Sequence, residues 1–280
     1  MKCEALEGLR ISAALAEAAR SLAAQSTSPR LDAELLMAHA LGVERDTLLL
    51  SHLEQPAPPA FAQLLTRRIA AEPVAYITGR RAFWTIELEV GPGVLIPRPD
   101  SEALLEAAVA HFKGKALHTV LDLGTGPGTL LVAALDQWPQ AHGLGIDASE
   151  AALAYARRNA ERLGLGPRVE LRLGDWTEDL TGRFDLILCN PPYVEAAANL
   201  PRDVCDWEPP EALFAGADGL DDYRRLAPQI PPLLAPGGIA CIELGAGQAP
   251  AVAPLFEAHG LTVRLHADLA GHPRCLALTH

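Results

Sequence analysis

Along the first third of the chain, apolar residues recur at i, i+3 and i+4, the spacing of one helix face. The pattern holds over residues 9–22, 31–41 and 61–69. Ser28-Pro29 reads as a helix start and Gly42 as a stop, while Gln55-Pro56-Ala57-Pro58-Pro59 breaks the pattern into a loop. No strand-like run intervenes, so a small helical bundle is expected. The period then changes. In residues 81–90, Phe83, Thr85, Glu87 and Glu89 alternate with Trp84, Ile86, Leu88 and Val90, the signature of a half-buried strand. Gly91-Pro92-Gly93 reads as a turn and Val94-Leu95-Ile96 as the second arm of a β-hairpin joining two domains.

From His118 onward, strands and helices alternate. Apolar runs of strand length at 119–123, 143–147, 169–173, 184–189 and 238–244 are separated by helical patterns at 129–138, 149–163 and 219–234. Such alternation implies βαβ units, hence a parallel sheet covered by helices on both faces. Two more strands, near 262–266 and 274–279, are closely connected and predict an antiparallel pair at one edge. The expected architecture is α/β, a mostly parallel seven-stranded sheet behind a small all-helical domain. The predicted division is a helical domain at 1–78, a β-hairpin linker at 79–97 and a catalytic domain at 98–280.

Composition narrows the possible roles. The 280 residues are 49% hydrophobic but only 5% aromatic, so the core is expected to be mainly Leu, Ala, Val and Ile. A net charge of −12 weighs against binding a phosphate backbone or an anionic membrane surface. Cys3, Cys189, Cys205, Cys241 and Cys275 are scattered, form no CxxC pair and are odd in number. They are read as reduced and structural, in a cytoplasmic protein. The N-terminal residues lack the continuous apolar stretch of a secretory signal. No run approaches the ~18 apolar residues of a membrane span. The nine histidines are dispersed, so no metal site is expected. The Arg67-Arg68 and Arg80-Arg81 pairs read as solvated faces.

Candidate chemistry gathers at successive strand ends. The first strand of the α/β region runs into Asp122-Leu123-Gly124-Thr125-Gly126-Pro127-Gly128. Glycines there allow positive φ and close approach of a ligand to the backbone. G-x-G-x-G is not the dinucleotide fingerprint, and by itself it serves equally well as a tight packing turn. The next strand ends in Asp147, a carboxylate suited to accept hydrogen bonds from both ribose hydroxyls. The third is followed by Gly174-Asp175-Trp176, with Trp176 able to stack on adenine and Asp175 to accept from its exocyclic amine. The three tips together favour an adenosine cofactor.

The fourth strand ends in Asn190-Pro191-Pro192-Tyr193. Two prolines fix φ and donate no backbone hydrogen bond, leaving their carbonyls as acceptors. Asn190 adds a side-chain carbonyl and Tyr193 an aromatic wall. The set suits a planar NH2 whose two N–H bonds point at Asn190 and the Pro191 carbonyl, with its lone pair aimed at a methyl donor. Alignment of this kind lowers the barrier without a strong base.

Asn-Pro-Pro-Tyr in this place resembles the signature of amino-group methyltransferases, which act on adenine in DNA, on RNA or on protein glutamine. Other segments choose among them. Residues 93–102 (GVLIPRPDSE), the run from Asp206-Trp207-Glu208-Pro209 to Asp221-Asp222-Tyr223-Arg224, residues 31–36 and 73–79 in the helical region, and Glu243-Leu244-Gly245-Ala246-Gly247-Gln248 resemble the release factor glutamine methyltransferases. The resemblance spans nearly the whole chain. Ser101 stands where Thr is usual in that family, Pro127 where Ser or Thr is common, and Ala215 where Gly is common.

The resemblance implies a Rossmann-like class I methyltransferase fold using S-adenosyl-L-methionine. It implies that Gly124, Thr125, Gly126, Pro127, Gly128, Asp147, Asp175, Trp176 and Asn190 hold the cofactor. Asn190, Pro191, Pro192 and Tyr193 would hold and activate the glutamine of the Gly-Gly-Gln motif of class I peptide chain release factors, gripped by the N-terminal helices. A monomer without membrane or nucleic-acid partners is expected. The rival readings are an N6-adenine methyltransferase of DNA or RNA, and a non-catalytic cofactor-binding interaction module. Arg98 and Glu208 receive no assigned role.

Overall fold

A computed structural model describes residues 8–268 and 271–280; Cys3 lies outside them. The chain forms two compact units. One runs to Arg80 and takes in Leu200–Glu208; the other holds Arg81–Asn199 and Pro209–His280.

The first unit is built on α1 (Ile11–Leu22), α2 (Pro29–Leu41), α3 (Arg45–Ser51), α4 (Ala60–Ile69) and α5 (Val74–Thr78). Pro29 sits in the first turn of α2, where its missing N–H costs nothing. Gly42 ends that helix in the left-handed conformation at φ 68°, returning its N–H to the Ala38 and His39 carbonyls. The apolar stripes meet in one core containing Ile11, Leu15, Leu22, Leu36, Met37, Phe61 and Leu65. Each such side chain contributes roughly 1.5–3 kcal/mol on burial. The sequence pattern does not single out α3 and α5, which have seven and five residues and so too few turns to display a period.

Arg68 departs from its expected place on a solvated face. It is 4% exposed. Its Nε donates to Asp32 Oδ2 at 2.8 Å and one terminal nitrogen to Asp203 Oδ2 at 3.1 Å, while the other reaches the Glu72 carbonyl at 3.3 Å. A cation removed from water requires such partners. Through Asp203, this residue ties the Leu200–Glu208 segment into the helical unit.

The second unit opens with a two-stranded hairpin, β1 (Arg80–Phe83) and β2 (Ile86–Glu89). Its turn is therefore Trp84-Thr85, inside the run expected to be one strand, and residues 94–96 form no strand. A two-residue turn leaves the alternation visually unbroken. Trp84 adopts φ 54°, a conformation usually given to Gly or Asn. The hairpin is pinned by Trp84 N–H to Glu102, Thr85 Oγ1 to Asp136 at 2.6 Å and Trp84 Nε1 to Gln137.

There follow α6 (Glu102–His111), β3 (Thr119–Leu123), α7 (Thr129–Gln137), β4 (His142–Asp147), α8 (Glu150–Arg162), β5 (Val169–Leu173) and β6 (Phe184–Cys189). Next come α9 (Arg202–Cys205), which belongs to the helical unit, then α10 (Asp221–Leu226), β7 (Leu234–Glu243), α11 (Ala249–Glu257), β8 (Thr262–Ala267) and β9 (Pro273–Thr279). The seven strands lie in the order β5-β4-β3-β6-β7-β9-β8. Pairings from β5 through β7 are parallel, and β9 runs antiparallel to both β7 and β8. The mostly parallel seven-stranded sheet is as the sequence predicts.

The helix expected at 219–234 is shortened to α10, because Pro228, Pro231 and Pro232 forbid its continuation and Leu234 already opens β7. Strand order reverses between β3 and β6, so a crevice opens at the carboxyl ends of these strands.

Candidate active site

The end of β3 makes a sharp turn in which Gly124, Gly126 and Gly128 all take positive φ, at 69°, 58° and 85°. Thr125 N–H donates to the Ile146 carbonyl at 2.9 Å, and Thr125 Oγ1 to Asp122 Oδ2 at 2.7 Å. Leu131 N–H, in the first turns of α7, donates to the same Asp122 oxygen. Asn159 is wholly buried; its Nδ2 donates to the Pro127 and Glu89 carbonyls and its Oδ1 accepts from Glu89 N–H. That side chain bolts the glycine turn to α8 and the hairpin.

Beside this turn lies a cleft of about 520 Å³, within the ~300–1,000 Å³ usual for small-molecule sites. Gly124, Thr125, Gly126, Pro127, Asp147, Asp175, Trp176, Asn190 and Pro192 line it, as do Asp122, Ser101, Arg98 and Asp222. Gly128, Pro191 and Tyr193 do not. A Cβ on Gly128 would lie 3.0 Å from Val132 and 3.4 Å from Ala156, so that glycine serves the packing of α7 against α8.

Asp147 holds the cleft's side wall. Its Oδ2 accepts from Gly126 N–H at 2.7 Å and its Oδ1 from Ser149 N–H at 2.8 Å; burial raises its carboxyl above the ordinary range. The indole of Trp176 stands over Gly124, where an added Cβ would lie 3.3 Å from the ring. Trp176 has φ 53°, and its Nε1 donates to Asp222 Oδ1 at 3.2 Å. A residue in the left-handed region is held there by its surroundings. Asp175 is exposed and paired with Arg225 at 2.6 Å.

Asp122 is the unusual member. It is buried, its Oδ1 has no hydrogen-bond partner, and burial pushes its carboxyl up to about 7. An orphan acceptor in a cleft wall fits a cationic or N–H-bearing ligand group, such as the ammonium of an amino acid. The sulfonium cofactor carries both an adenosine end and such an ammonium, and the cleft supplies groups for each.

At the mouth, Asn190 Nδ2 donates to Ser101 Oγ at 3.2 Å, which leaves Oδ1 as the open acceptor. Tyr193 does not form a wall of the cleft. It turns inward, and its hydroxyl donates to Glu243 Oε1 at 3.2 Å. Gln248 Nε2 donates to the Tyr193 carbonyl at 3.0 Å, and Gln248 Oε1 accepts from Gly245 N–H at the same distance. Sequence reasoning missed Ser101, Asp222, Glu243 and Asn159 as site or supporting residues. The first three stand in quoted motifs, but no spacing rule marks which motif residues turn inward.

Fold and cleft together define an S-adenosylmethionine-dependent methyltransferase of class I. Residues 115–259 match the family model described as "Methyltransferase domain", and residues 13–79 match "PrmC N-terminal domain". The chain is 45% identical over 254 residues to the release factor glutamine methyltransferase of Rhodospirillum rubrum, covering 89% of this chain and 78% of that one. It is 41% identical over 271 residues to its counterpart in Moorella thermoacetica, covering 94% and 95%. A methyltransferase crystal structure from Pyrococcus furiosus shares the fold, with TM-score 0.53 and 18% identity over 78% of this chain and 98% of that one. The chain belongs to the release factor glutamine methyltransferase family.

Proposed function

We propose that this enzyme methylates the side-chain amide nitrogen of the glutamine in the Gly-Gly-Gln motif of class I peptide chain release factors. The observation that carries the reading is Asn190, whose Nδ2 is tied to Ser101 while its Oδ1 is left open at the cleft. A primary amide arriving there has one N–H accepted by Asn190 Oδ1, and the Pro191 carbonyl, on a buried residue outside the cleft lining, would take the other. Both bonds fix the plane of the NH2 and draw electron density onto a nitrogen that is otherwise a poor nucleophile.

S-adenosylmethionine supplies the electrophilic methyl group. The glycine turn, Asp147 and Trp176 would hold its nucleoside end, and Asp122 its ammonium end. Asp175 faces Arg225 and would reach adenine only through a change in that pair. Among the described residues lining the cleft there is no histidine or lysine, which accords with a transfer in which the proton leaves, to water, after the methyl group arrives. The helical domain would grip the body of the release factor, and the enzyme is read as a cytoplasmic monomer acting on protein. The domain limits proposed from sequence, 1–78, 79–97 and 98–280, assign the helical part to that grip.

The test is mass spectrometry of a purified class I release factor after incubation with enzyme and S-adenosylmethionine, with Asn190→Ala alongside. One methyl group on the Gly-Gly-Gln glutamine is expected with the native enzyme. The variant is expected to be slower by about two to three orders of magnitude, the usual effect of losing a transition-state hydrogen bond. An unmodified glutamine with native enzyme and bound cofactor would overturn the reading.

A further inference from the structure

Glu243 ends β7 directly beneath the tetrapeptide, is fully buried, and takes no part in the chemistry described above. Its Oε1 accepts from the Tyr193 hydroxyl at 3.2 Å. Its Oε2 is sealed from solvent without a bond of ordinary geometry. The Ser101 hydroxyl is near enough to favour the ionised form of this carboxylate, though no hydrogen bond of ordinary geometry joins the two, and Ser101 Oγ accepts from Asn190 Nδ2 at 3.2 Å. A carboxylate so placed needs a reason, because burying it is costly and a glutamine would fill the same space.

We infer that Glu243 is a positioning residue for methyl transfer: by accepting the Ser101 and Tyr193 hydroxyl protons it keeps Ser101 Oγ an acceptor for Asn190 Nδ2 and so turns Asn190 Oδ1 toward the substrate amide. The inference rests on the function proposed above. An ionised carboxylate only accepts, so both hydroxyls point at it, and the lone pairs of Ser101 Oγ face Asn190. A neutral acid or a glutamine donates a proton of its own toward Ser101. The serine hydroxyl then points at Asn190 and favours the flipped amide, which presents Nδ2 to a substrate that also brings N–H donors. Two donors face each other, and the substrate amide loses its acceptor.

The surroundings set when this happens. Burial is the main cause that pushes Glu243 up to about 7, and Asp100 adds to it, while the Ser101 hydroxyl, the Tyr193 hydrogen bond and Arg274 oppose it. Tyr223, Cys189 and Cys275 also face it and are held neutral, their own proton loss made harder by burial and by the nearby carboxylate. The competent form is thus the ionised one, and kcat with both substrates saturating is expected to rise with pH through about 7. Saturating cofactor keeps Asp122, which titrates in the same range, from setting the profile.

The experiment compares native enzyme, Glu243→Gln, Ser101→Ala and the double variant on a class I release factor. Glu243→Gln is expected to lose about tenfold to a hundredfold in kcat, with KM for the release factor and cofactor affinity by calorimetry little changed. Its pH profile is expected to lose the inflection near 7. The double variant is expected to be no slower than the slower single, because both act through one relay. Equal kcat and an unchanged inflection in Glu243→Gln, with native enzyme active, would overturn the inference and leave the function standing.

A second measurement does not depend on turnover. In full-length enzyme carrying 13Cδ-glutamate and side-chain 15N-asparagine, the Asn190 amide is expected to shift with the same midpoint as Glu243 Cδ, and to stop following it in Ser101→Ala. An Asn190 amide that ignores Glu243 would overturn the inference even if no release factor is methylated.

Discussion

At the scale of single residues, this site works with carboxylates that folding makes uncomfortable. Asp122 is raised from 3.8 to about 7 by burial. Between about pH 4 and 7 the folded protein therefore holds a proton that the unfolded chain releases. Its contribution to stability is full below the unfolded value and is lost as pH rises through about 7. Asp122→Asn is expected to flatten that slope, gaining on the order of 4 kcal/mol at most at pH 8, as read from urea unfolding midpoints across pH. The same variant is expected to bind S-adenosylmethionine more weakly in calorimetry, since the orphan oxygen proposed to face its ammonium is lost or reoriented. A variant with flat stability and undiminished affinity would remove Asp122 from the site. Trp176 makes a simpler case. Replacing it by Ala removes the ring over Gly124 and is expected to weaken cofactor binding by about 1–3 kcal/mol, the worth of one aromatic–base stack. Unchanged affinity would mean that the indole only packs.

At the scale of elements, the tetrapeptide is held as a strap by groups far along the chain. A Cβ on Gly219 would lie 2.4 Å from the Tyr193 carbonyl, and φ there is 70°. Gly219→Ala is therefore expected to push the strap away from Asn190's working position. The expected kinetic result is a kcat lower by at least about tenfold with cofactor affinity retained; equal loss of both would point to general unfolding instead. Such a role cannot be read from a sequence, because it depends on which strand the loop crosses. The strands themselves were legible: 119–123, 169–173 and 184–189 coincide with β3, β5 and β6, β3 and β6 because buried parallel strands are short apolar runs with turn signals on both sides, and the exposed edge strand β5 because its apolar and charged residues alternate. The helix α6 was not, since its open face holds only Glu102 and Glu106 beside Val109 and Ala110, too little polar contrast to show a period. The hairpin was legible as strand but not as turn, for Trp84 in a left-handed conformation is a choice that tertiary contacts impose. Of the residues that line the cleft, Gly124, Gly126, Asp147, Trp176 and Asn190 were legible from their strand-end positions, while Gly128 serves packing instead. Ser101 and Glu243 were not, because their meeting with Asn190 is made by the fold alone.

At the scale of the whole molecule, the chain crosses between its two units at 80/81, 199/200 and 208/209, so neither unit is a continuous stretch. Within the helical unit, Leu200–Glu208 is tied by Arg68, buried between Asp32 and Asp203. The pair with Asp32 stabilises little by itself, since both charges lose their water. Deleting the cation is another matter, for it leaves Asp32 buried and unpaired at a cost of about 3–5 kcal/mol. Arg68→Ala is therefore expected to lower the melting temperature of the helical unit and to free the 200–208 segment. Trypsin reports the second effect directly, because Arg202 lies inside that segment and is exposed. Faster cleavage after Arg202 than in native enzyme, with cofactor affinity unchanged, is the expected result. If the Arg202 bond is cut no faster although the helical unit is destabilised, then the segment is held by its apolar contacts and its peptide bonds rather than by the Asp203 ion pair. Cleavage at unchanged thermal stability would instead mean that Asp32 finds water once the guanidinium is gone. The buried triad would then be a tether for the returning chain rather than a support for the bundle.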